Sequence, residues 1–443
     1  MRMKLFSFKG GVHPAYHKGL SKDKEITRAA IPKQLIVPLA QHIGAPCEPG
    51  VEAGDTVKEG QLIGKARSFV SAPVHSPVSG KVKKIEKVLH PLGQKMLSII
   101  IQPDEEGAKD YMQPLGSDAS DLEPKDILTR INDAGIVGLG GATFPTHVKL
   151  SPPKDKPIDT LIINGCECEP YLSADHRIMV ERTGDVVSGA GMIGKVLGVK
   201  KIIIAVETNK PDAVEKIEKA VNNDETVCLL TRTKYPQGAE KMLIKAVVDR
   251  EVPSGGLPMD VGVVVSNAGT ALAVCEAVRD GKPLIERVLT VTGNGVKSPG
   301  NFLVKIGTPL TDMIEQAGGM VGTVGKCVMG GPMMGLAQSS MDVPVIKGTS
   351  GILLMQKEDY MQDGHLPCIR CSFCVQSCPV HLMPSILSVI AEAQKWVRAL
   401  DYGVNDCIEC GCCAYVCPSK RPIVQLIKTA KIKIREIKER EKI

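Results

Sequence analysis

Eight of the chain's 15 cysteines fall in two runs of identical spacing. Cys368, Cys371, Cys374 and Cys378-Pro379 form the first, and Cys407, Cys410, Cys413 and Cys417-Pro418 the second. Each reads C-x2-C-x2-C-x3-C-P, the spacing that holds a [4Fe–4S] cluster. Three closely spaced thiolates cover one face of a cubane, and in paired-cluster domains the fourth cysteine reaches the other cluster. The expected ligand sets are therefore Cys368, Cys371, Cys374 and Cys417 for one cluster, and Cys407, Cys410, Cys413 and Cys378 for the other. Two cubanes that exchange ligands must lie close together, which makes a short path for single electrons. Zinc would need four ligands rather than eight in a doubled register. A disulfide framework suits a small secreted chain.

A second chemistry shows in the segment Gly138-Leu139-Gly140-Gly141-Ala142-Thr143-Phe144-Pro145-Thr146-His147-Val148-Lys149. Glycines let backbone N–H groups crowd around a phosphate, and a lysine can neutralise it. The pattern is not G-x-G-x-x-G, because Thr143 occupies the last glycine position, and it lacks the P-loop context. About 15 residues later Asn164-Gly165-Cys166-Glu167-Cys168-Glu169-Pro170-Tyr171 follows a predicted strand, where open α/β sheets bind ligands. Cys166 and Cys168 have no partner run and read as non-ligands, and Cys412, beside Cys413, reads as a spectator. Val328-Met329-Gly330-Gly331-Pro332-Met333-Met334-Gly335 reads as a buried glycine-rich loop filled by methionine. The nine histidines show no ligand pattern.

The elements that must position these residues follow from periodicity. A chain of 443 residues exceeds one core, and hydrophobic and charged contents of 43% and 23% are ordinary for globular protein. No apolar run reaches the 18 or so residues of a membrane span; Ile202–Val206 and Val261–Val265 are strand-sized. The opening Met1–Phe6 lacks the long apolar stretch of a signal peptide. Eight cluster thiolates point to a reducing compartment. From Leu39 to Glu86 short strands and turns dominate, and Gln102–Leu122 reads as an acidic linker. Lys125–Ala134 is framed as a helix by Pro124 and Gly135. Strands at Thr160–Asn164, Lys201–Val206 and Thr226–Thr231 then alternate with helices at Arg182–Val196 and Pro211–Val221, arguing a mainly parallel sheet covered by helices. Val288–Val291, the Gly293-Asn294-Gly295 turn and a helix at Thr311–Ala317 suggest a small α+β unit. Between the cysteine runs Ile386, Leu387, Val389, Ile390, Ala393, Val397 and Leu400 fall at helical spacing. The net charge of +6 concentrates near the C-terminus, in a segment read as a solvated basic helix. Aromatics, at 3%, are too few for nucleic-acid stacking.

Segments Gly54–Gln61 and Ala72–Gly80 resemble the two halves of the biotinyl/lipoyl barrel-sandwich fold. Arg67–Ser71, the equivalent of the carrier hairpin, has no lysine, so the module reads as structural. The glycine-rich loop is similar to the flavin-binding loop G-R-G-G-A-G-F-P-T-G-x-K of the NADH-oxidising flavoprotein subunit of respiratory complex I. Asn164–Pro170 resembles that subunit's N-x-D-E-x-E-P. With the opening Lys9-Gly10-Gly11-Val12-His13-Pro14 and the order of modules, the whole chain resembles the RnfC family. Its members belong to the Rnf complexes, which exchange electrons between NAD(H) and ferredoxin coupled to ion pumping. The resemblance implies a multidomain α/β chain. Residues 1–115 would hold a barrel-sandwich hybrid module and linker, 116–285 a Rossmann-like FMN/NADH domain, and 286–350 a β-grasp unit. An all-α two-cluster ferredoxin domain at 351–430 and a basic tail at 431–443 would follow. It implies FMN on Gly138, Gly140, Gly141, Lys149, Asn164, Asn267 and Thr270. NAD(H) would meet Phe144, Glu169, Tyr235 and Glu240, the last two in Tyr235-Pro236-Gln237-Gly238-Ala239-Glu240. Two positions depart from the family pattern: its acidic residue is Cys166 here, and its loop arginine is Leu139. The implied partners are other subunits of a redox-driven ion pump, with ferredoxin reached indirectly, at the cytoplasmic face of the membrane. Two other readings stay open: a non-catalytic quinone-binding or docking subunit, and a soluble ferredoxin-linked oxidoreductase.

Overall fold

In the computed structural model, which describes residues 5–359 and 364–440, Ile202, Ile204 and Val206 face one layer of helices, and Ile203 and Ala205 face the other. A strand buried on both sides keeps no polar face, so Lys201–Glu207 reads as an apolar run rather than an alternation. Its sheet is four-stranded and wholly parallel. The order is Thr226–Thr231, Lys201–Glu207, Thr160–Gly165, Val263–Asn267. In chain order this is 3-2-1-4, so the succession of strands reverses between Thr160–Gly165 and Val263–Asn267. Ligands bind at such reversals, beyond the carboxyl ends of the strands. Helices Pro124–Asp133, Ala174–Glu181, Thr183–Leu197, Pro211–Ala220 and Ala268–Asp280 cover one face, and Glu240–Val248 the other. The segment expected as a linker is tied down: Met112 donates to the Gly281 carbonyl (3.0 Å) and Leu115 to Val278 (2.9 Å).

Two small antiparallel sheets between Leu35 and Pro103 face each other across Leu35, Val37, Ile63, Val74, Ile99 and Ile101. The Arg67–Ser71 hairpin presents Phe69, whose ring meets the His147 ring edge-on with centroids 5.6 Å apart. The first described residues pair with other units. Phe6 and Val12 pair with Thr231 and Tyr235, and Ile26–Arg28 adds a parallel edge strand to a separate six-stranded sheet. That sheet also holds Glu286–Thr292, Gly300–Lys305 and Val324–Met329, with helix Leu310–Gln316 packed on it. Its inner strand Gly351–Gln356 falls beyond residue 350, because Thr290 pairs with Gly351 and Val291 with Ile352.

In the cysteine-rich unit the helix read across Ile386–Leu400 is interrupted. Pro384–Glu392 ends with Gln394 at φ +56°, and a 3-10 turn Val397–Tyr402 follows. The break folds Ala399 back onto Leu387 and Ile390 in one core. The basic segment is helical and keeps its charges toward solvent, but it is not a separate tail. It is the outer half of helix Ile423–Arg440, which buries Ile423, Ile427, Ala430 and Ile434 and leaves its charges on the other face. The last three positions of that segment, 441–443, lie outside the described residues, as do Met1 to Lys4 of the opening segment. No helix among the described residues is long and apolar enough to cross a membrane.

Candidate functional site

Asn164 and Asn267 lie at the carboxyl ends of the two strands on either side of the reversal and stand in register. Asn267 caps helix Ala268–Asp280: its Oδ1 accepts from the Gly269 (2.9 Å) and Thr270 (3.3 Å) amides, and its Nδ2 donates to Asp175 (2.7 Å). The glycine-rich loop crosses this helix N-terminus. Gly140 lies against Asn267, Leu139 N–H donates to Thr270 Oγ1 (2.9 Å), and Gly138 N–H donates to the Phe144 carbonyl (2.9 Å). Gly140 and Gly141 are exposed, and Gly141, at φ +122°, has open space where a Cβ would project. An exposed, side-chain-free backbone beside a positive helix end is a cradle for a phosphate. Lys149 donates to Glu240 (2.8 Å) and the Val265 carbonyl (2.9 Å), which puts its ammonium at the end of the same strand. Asn164 Nδ2 donates to the Gly238 carbonyl (2.8 Å), closing the opposite wall. The expected FMN residues Gly138, Gly140, Gly141, Lys149, Asn164, Asn267 and Thr270 thus come together, and Thr270 and both asparagines act through the frame.

The residues expected at the nucleotide separate. Phe144 is half-buried in the loop, and Glu240 opens helix Glu240–Val248 while paired with Lys149. Glu169 points away, to the loop that was read as buried packing. That loop is part-buried, with Val328, Met329 and Gly331 buried and Pro332 and Met334 exposed, and both Glu169 oxygens accept its amides, from Met333 (3.0 Å) and Met334 (2.8 Å). Burial pushes the Glu169 carboxyl up to about 7 against the pull of those amides. Tyr235 is fully buried, and its hydroxyl donates to the Cys410 carbonyl (2.6 Å). It stands at the cysteine-rich unit with no free face.

Seven of the eight thiols group as the crossed sets require: Cys374 with Cys417 and Cys368, and Cys413 with Cys410, Cys407 and Cys378. Burial raises the Cys374 thiol, and Cys417 and Cys368 add to the shift. Burial likewise raises Cys413, reinforced by Cys410, Cys407 and Cys378. Cys378, Cys407, Cys410 and Cys413 line one cavity. Among the described residues no three His, Cys, Asp or Glu side chains close around a single metal ion. A cubane, held at its corners, keeps its thiolates further apart, so the donor set fits clusters.

Family models match four segments of the chain. They are the Nuo51 FMN-binding domain over residues 131–276, the RnfC barrel sandwich hybrid domain over 6–106, the SLBB domain over 288–337 and the 4Fe-4S dicluster domain over 367–420. The C component of the proton-translocating ferredoxin:NAD(+) oxidoreductase complex of Clostridium ljungdahlii is 48% identical over 99% of this chain and 96% of its own length. The chain belongs to the RnfC family. The Na(+)-translocating counterpart from Acetobacterium woodii is 45% identical over 98% of each chain. The C component of the ion-translocating oxidoreductase complex of Rhodobacter capsulatus is 42% identical over 99% of this chain and 85% of its own.

Both departures of this RnfC-family chain from the complex I pattern are packing substitutions. Leu139 is buried in the main core. Cys166 is fully buried, its thiol toward Ala205 and Thr231 and pushed up to about 12 by burial. Two buried lysines escaped the sequence reading. Lys18 donates to the carbonyls of Glu167 (2.7 Å), Glu169 (3.0 Å) and Leu172, and Lys210 donates to Cys166. Together they hold the Cys166–Leu172 loop from beneath. Lys18 lies 149 positions from Glu167, and no local pattern marks it.

Proposed function

We propose that this chain is the NAD(H)-reacting subunit of a membrane-bound, ion-translocating ferredoxin:NAD oxidoreductase, passing electrons between NAD(H), FMN and two [4Fe–4S] clusters. We read the parallel sheet as a Rossmann-like half, residues 286–356 as a β-grasp unit, and the site as facing the cytoplasm. The observation that carries the reading is the hydrogen bond from Tyr235 to the Cys410 carbonyl (2.6 Å). It ties a loop of the flavin frame to a cluster ligand within one chain. A nicotinamide delivers two electrons as hydride and a cubane takes one, and FMN supplies the conversion between them.

The protein's own residues bind and orient. Gly140 and Gly141 leave loop backbone open to a phosphate, Gly138 closes the loop on Phe144, and Lys149 offsets the phosphate charge. Asn164, Asn267 and Thr270 fix the loop and strand ends. Phe144 and Glu240 border the nucleotide, and Glu169 reaches it only by giving up its amide partners. The test is purification of the protein with its cofactors, then flavin absorbance and NADH:ferricyanide activity. Bound FMN with NADH-dependent reduction is expected. A flavin-free protein inert to NADH would favour a docking role.

A further inference from the structure

We propose that the cluster on Cys407, Cys410, Cys413 and Cys378 is the flavin-side member of the pair. Tyr235 is its positioning residue, and the cluster on Cys368, Cys371, Cys374 and Cys417 is the outlet. The assignment rests on the flavin reading of the glycine-rich loop.

Two attachments join the second set to the flavin unit. The first is loop Tyr235–Glu240. Its Gly238 carbonyl accepts from Asn164 (2.8 Å) and its Glu240 pairs with Lys149 (2.8 Å), while its Tyr235 hydroxyl holds Cys410 (2.6 Å). The second is the N-terminal strap. Val12 exchanges backbone hydrogen bonds with Tyr235 (2.8 and 2.9 Å), and Gly11 N–H donates to the Ser377 carbonyl (2.8 Å), next to Cys378, the crossing ligand of the same set. A Cβ on Gly11 would lie 2.5 Å from the Tyr235 carbonyl, so only glycine lets the strap pass. Cys168 continues the path inward, accepting from Gly238 N–H at 3.3 Å.

The first set is built outward. Leu366, Ile369 and Phe373 around it are 64%, 66% and 52% exposed, and of its four cysteines only Cys374 is buried, whereas Cys378, Cys410 and Cys413 of the second set are buried. The Leu366 amide bonds within the cluster unit, to Ser419 (2.9 Å). Electron tunnelling falls steeply with distance, so the buried, tethered set exchanges with the flavin and the open set with a one-electron redox partner protein. Per NADH, NAD+ and one proton are released. With both clusters bound, Cys407, Cys410, Cys413 and Cys378 would hold the one that takes the two electrons singly from the flavin side, and Cys368, Cys371, Cys374 and Cys417 the one that would hand them on, with ferredoxin-driven reduction of NAD+ as the reverse.

The experiment uses the reconstituted protein, with iron and FMN assayed in each variant. In Cys371→Ser, NADH should still reduce the remaining second-set cluster, read by freeze-quench EPR. In Cys413→Ser the remaining first-set cluster should be reduced by dithionite, while its reduction by NADH slows at least about tenfold. The opposite pattern overturns the order. Tyr235→Phe should retain both clusters and alter the EPR line shape of the second-set cluster alone in dithionite-reduced protein. An unchanged spectrum, or a change confined to the first set, overturns the role of Tyr235. That readout needs no flavin, so it fails separately from the flavin reading, which the FMN assay judges.

Discussion

Cys407–Cys413 and Cys368–Cys374 share one spacing, yet the first lies beneath the N-terminal strap and the flavin unit while the second faces solvent. Around the inner run, Tyr235 holds Cys410, Lys431 donates to the Cys407 carbonyl (2.6 Å), and Lys428 and Lys431 pair with Glu409. Around the outer run, Ile369 and Phe373 stand in water. Spacing makes a ligand ring in either place, because three cysteines at those offsets meet one cubane face wherever the chain lies. Orientation comes from what packs against the ring, and that difference gives two similar clusters different neighbours.

The largest effect should come from the crossing ligand. Cys378→Ser should remove about four of about eight irons, and the lost EPR signal should be the one that Tyr235→Phe perturbs. Loss of the other signal alone would sink crossed ligation and erase the contrast between the runs. Next in size is the wall behind them. Ile427 is 1% exposed in the core beneath the clusters, and Ile427→Ala should cost about 2–5 kcal/mol in calorimetric unfolding. Ile432, on the same helix but 54% exposed, should change stability by less than about 0.5 kcal/mol when replaced by Ala. Equal losses would mean that the helix does not pack by its buried stripe.

A third test concerns Glu169, which joins the flavin unit to the Met333 loop beside the inner run. Its carboxylate bonds are worth roughly 1.5–3 kcal/mol. Glu169→Gln should therefore speed hydrogen exchange at the Met333 and Met334 amides by about ten- to a hundredfold. Faster exchange with unaltered NADH affinity would make Glu169 a tether alone, and a parallel loss of affinity would give it both roles. Its pH dependence has a definite sign. The folded chain raises this carboxyl from 4.5 to about 7, so it holds the proton more tightly than the unfolded chain does. The stability it contributes is full below the ordinary carboxylate value and is lost as pH rises through about 7. Unfolding curves across that window should differ between the natural chain and Glu169→Gln, and superimposable slopes would refute the shift. The smallest effect belongs to the loop itself. Gly141→Val places a β-branched residue at φ +122°, at about 1–2 kcal/mol of strain. FMN affinity should fall roughly tenfold with both clusters intact, and full flavin content would move the site elsewhere.

Much of the frame was legible in the sequence because it is local. Thr226–Thr231 ends where the apolar run ends, Pro124 and Gly135 bracket their helix, and the glycines of the flavin loop advertise bare backbone. The break in the helix across Ile386–Leu400 leaves no mark in the sequence, because helical spacing persists across a left-handed Gln394 that folds the chain back on itself. Glu169 and Tyr235 looked alike as polar residues near a strand end, and only their distant partners separate them. By itself, then, the sequence determined the cysteine spacing, the glycine loop and the buried strands, since each is set by residues a few positions apart. Which cysteine run faces inward, and what Glu169, Tyr235 and Lys18 hold, was decided by the tertiary structure. Their side-chain partners lie 149 to 175 positions away, and only the packing of separate units brings them within hydrogen-bond reach.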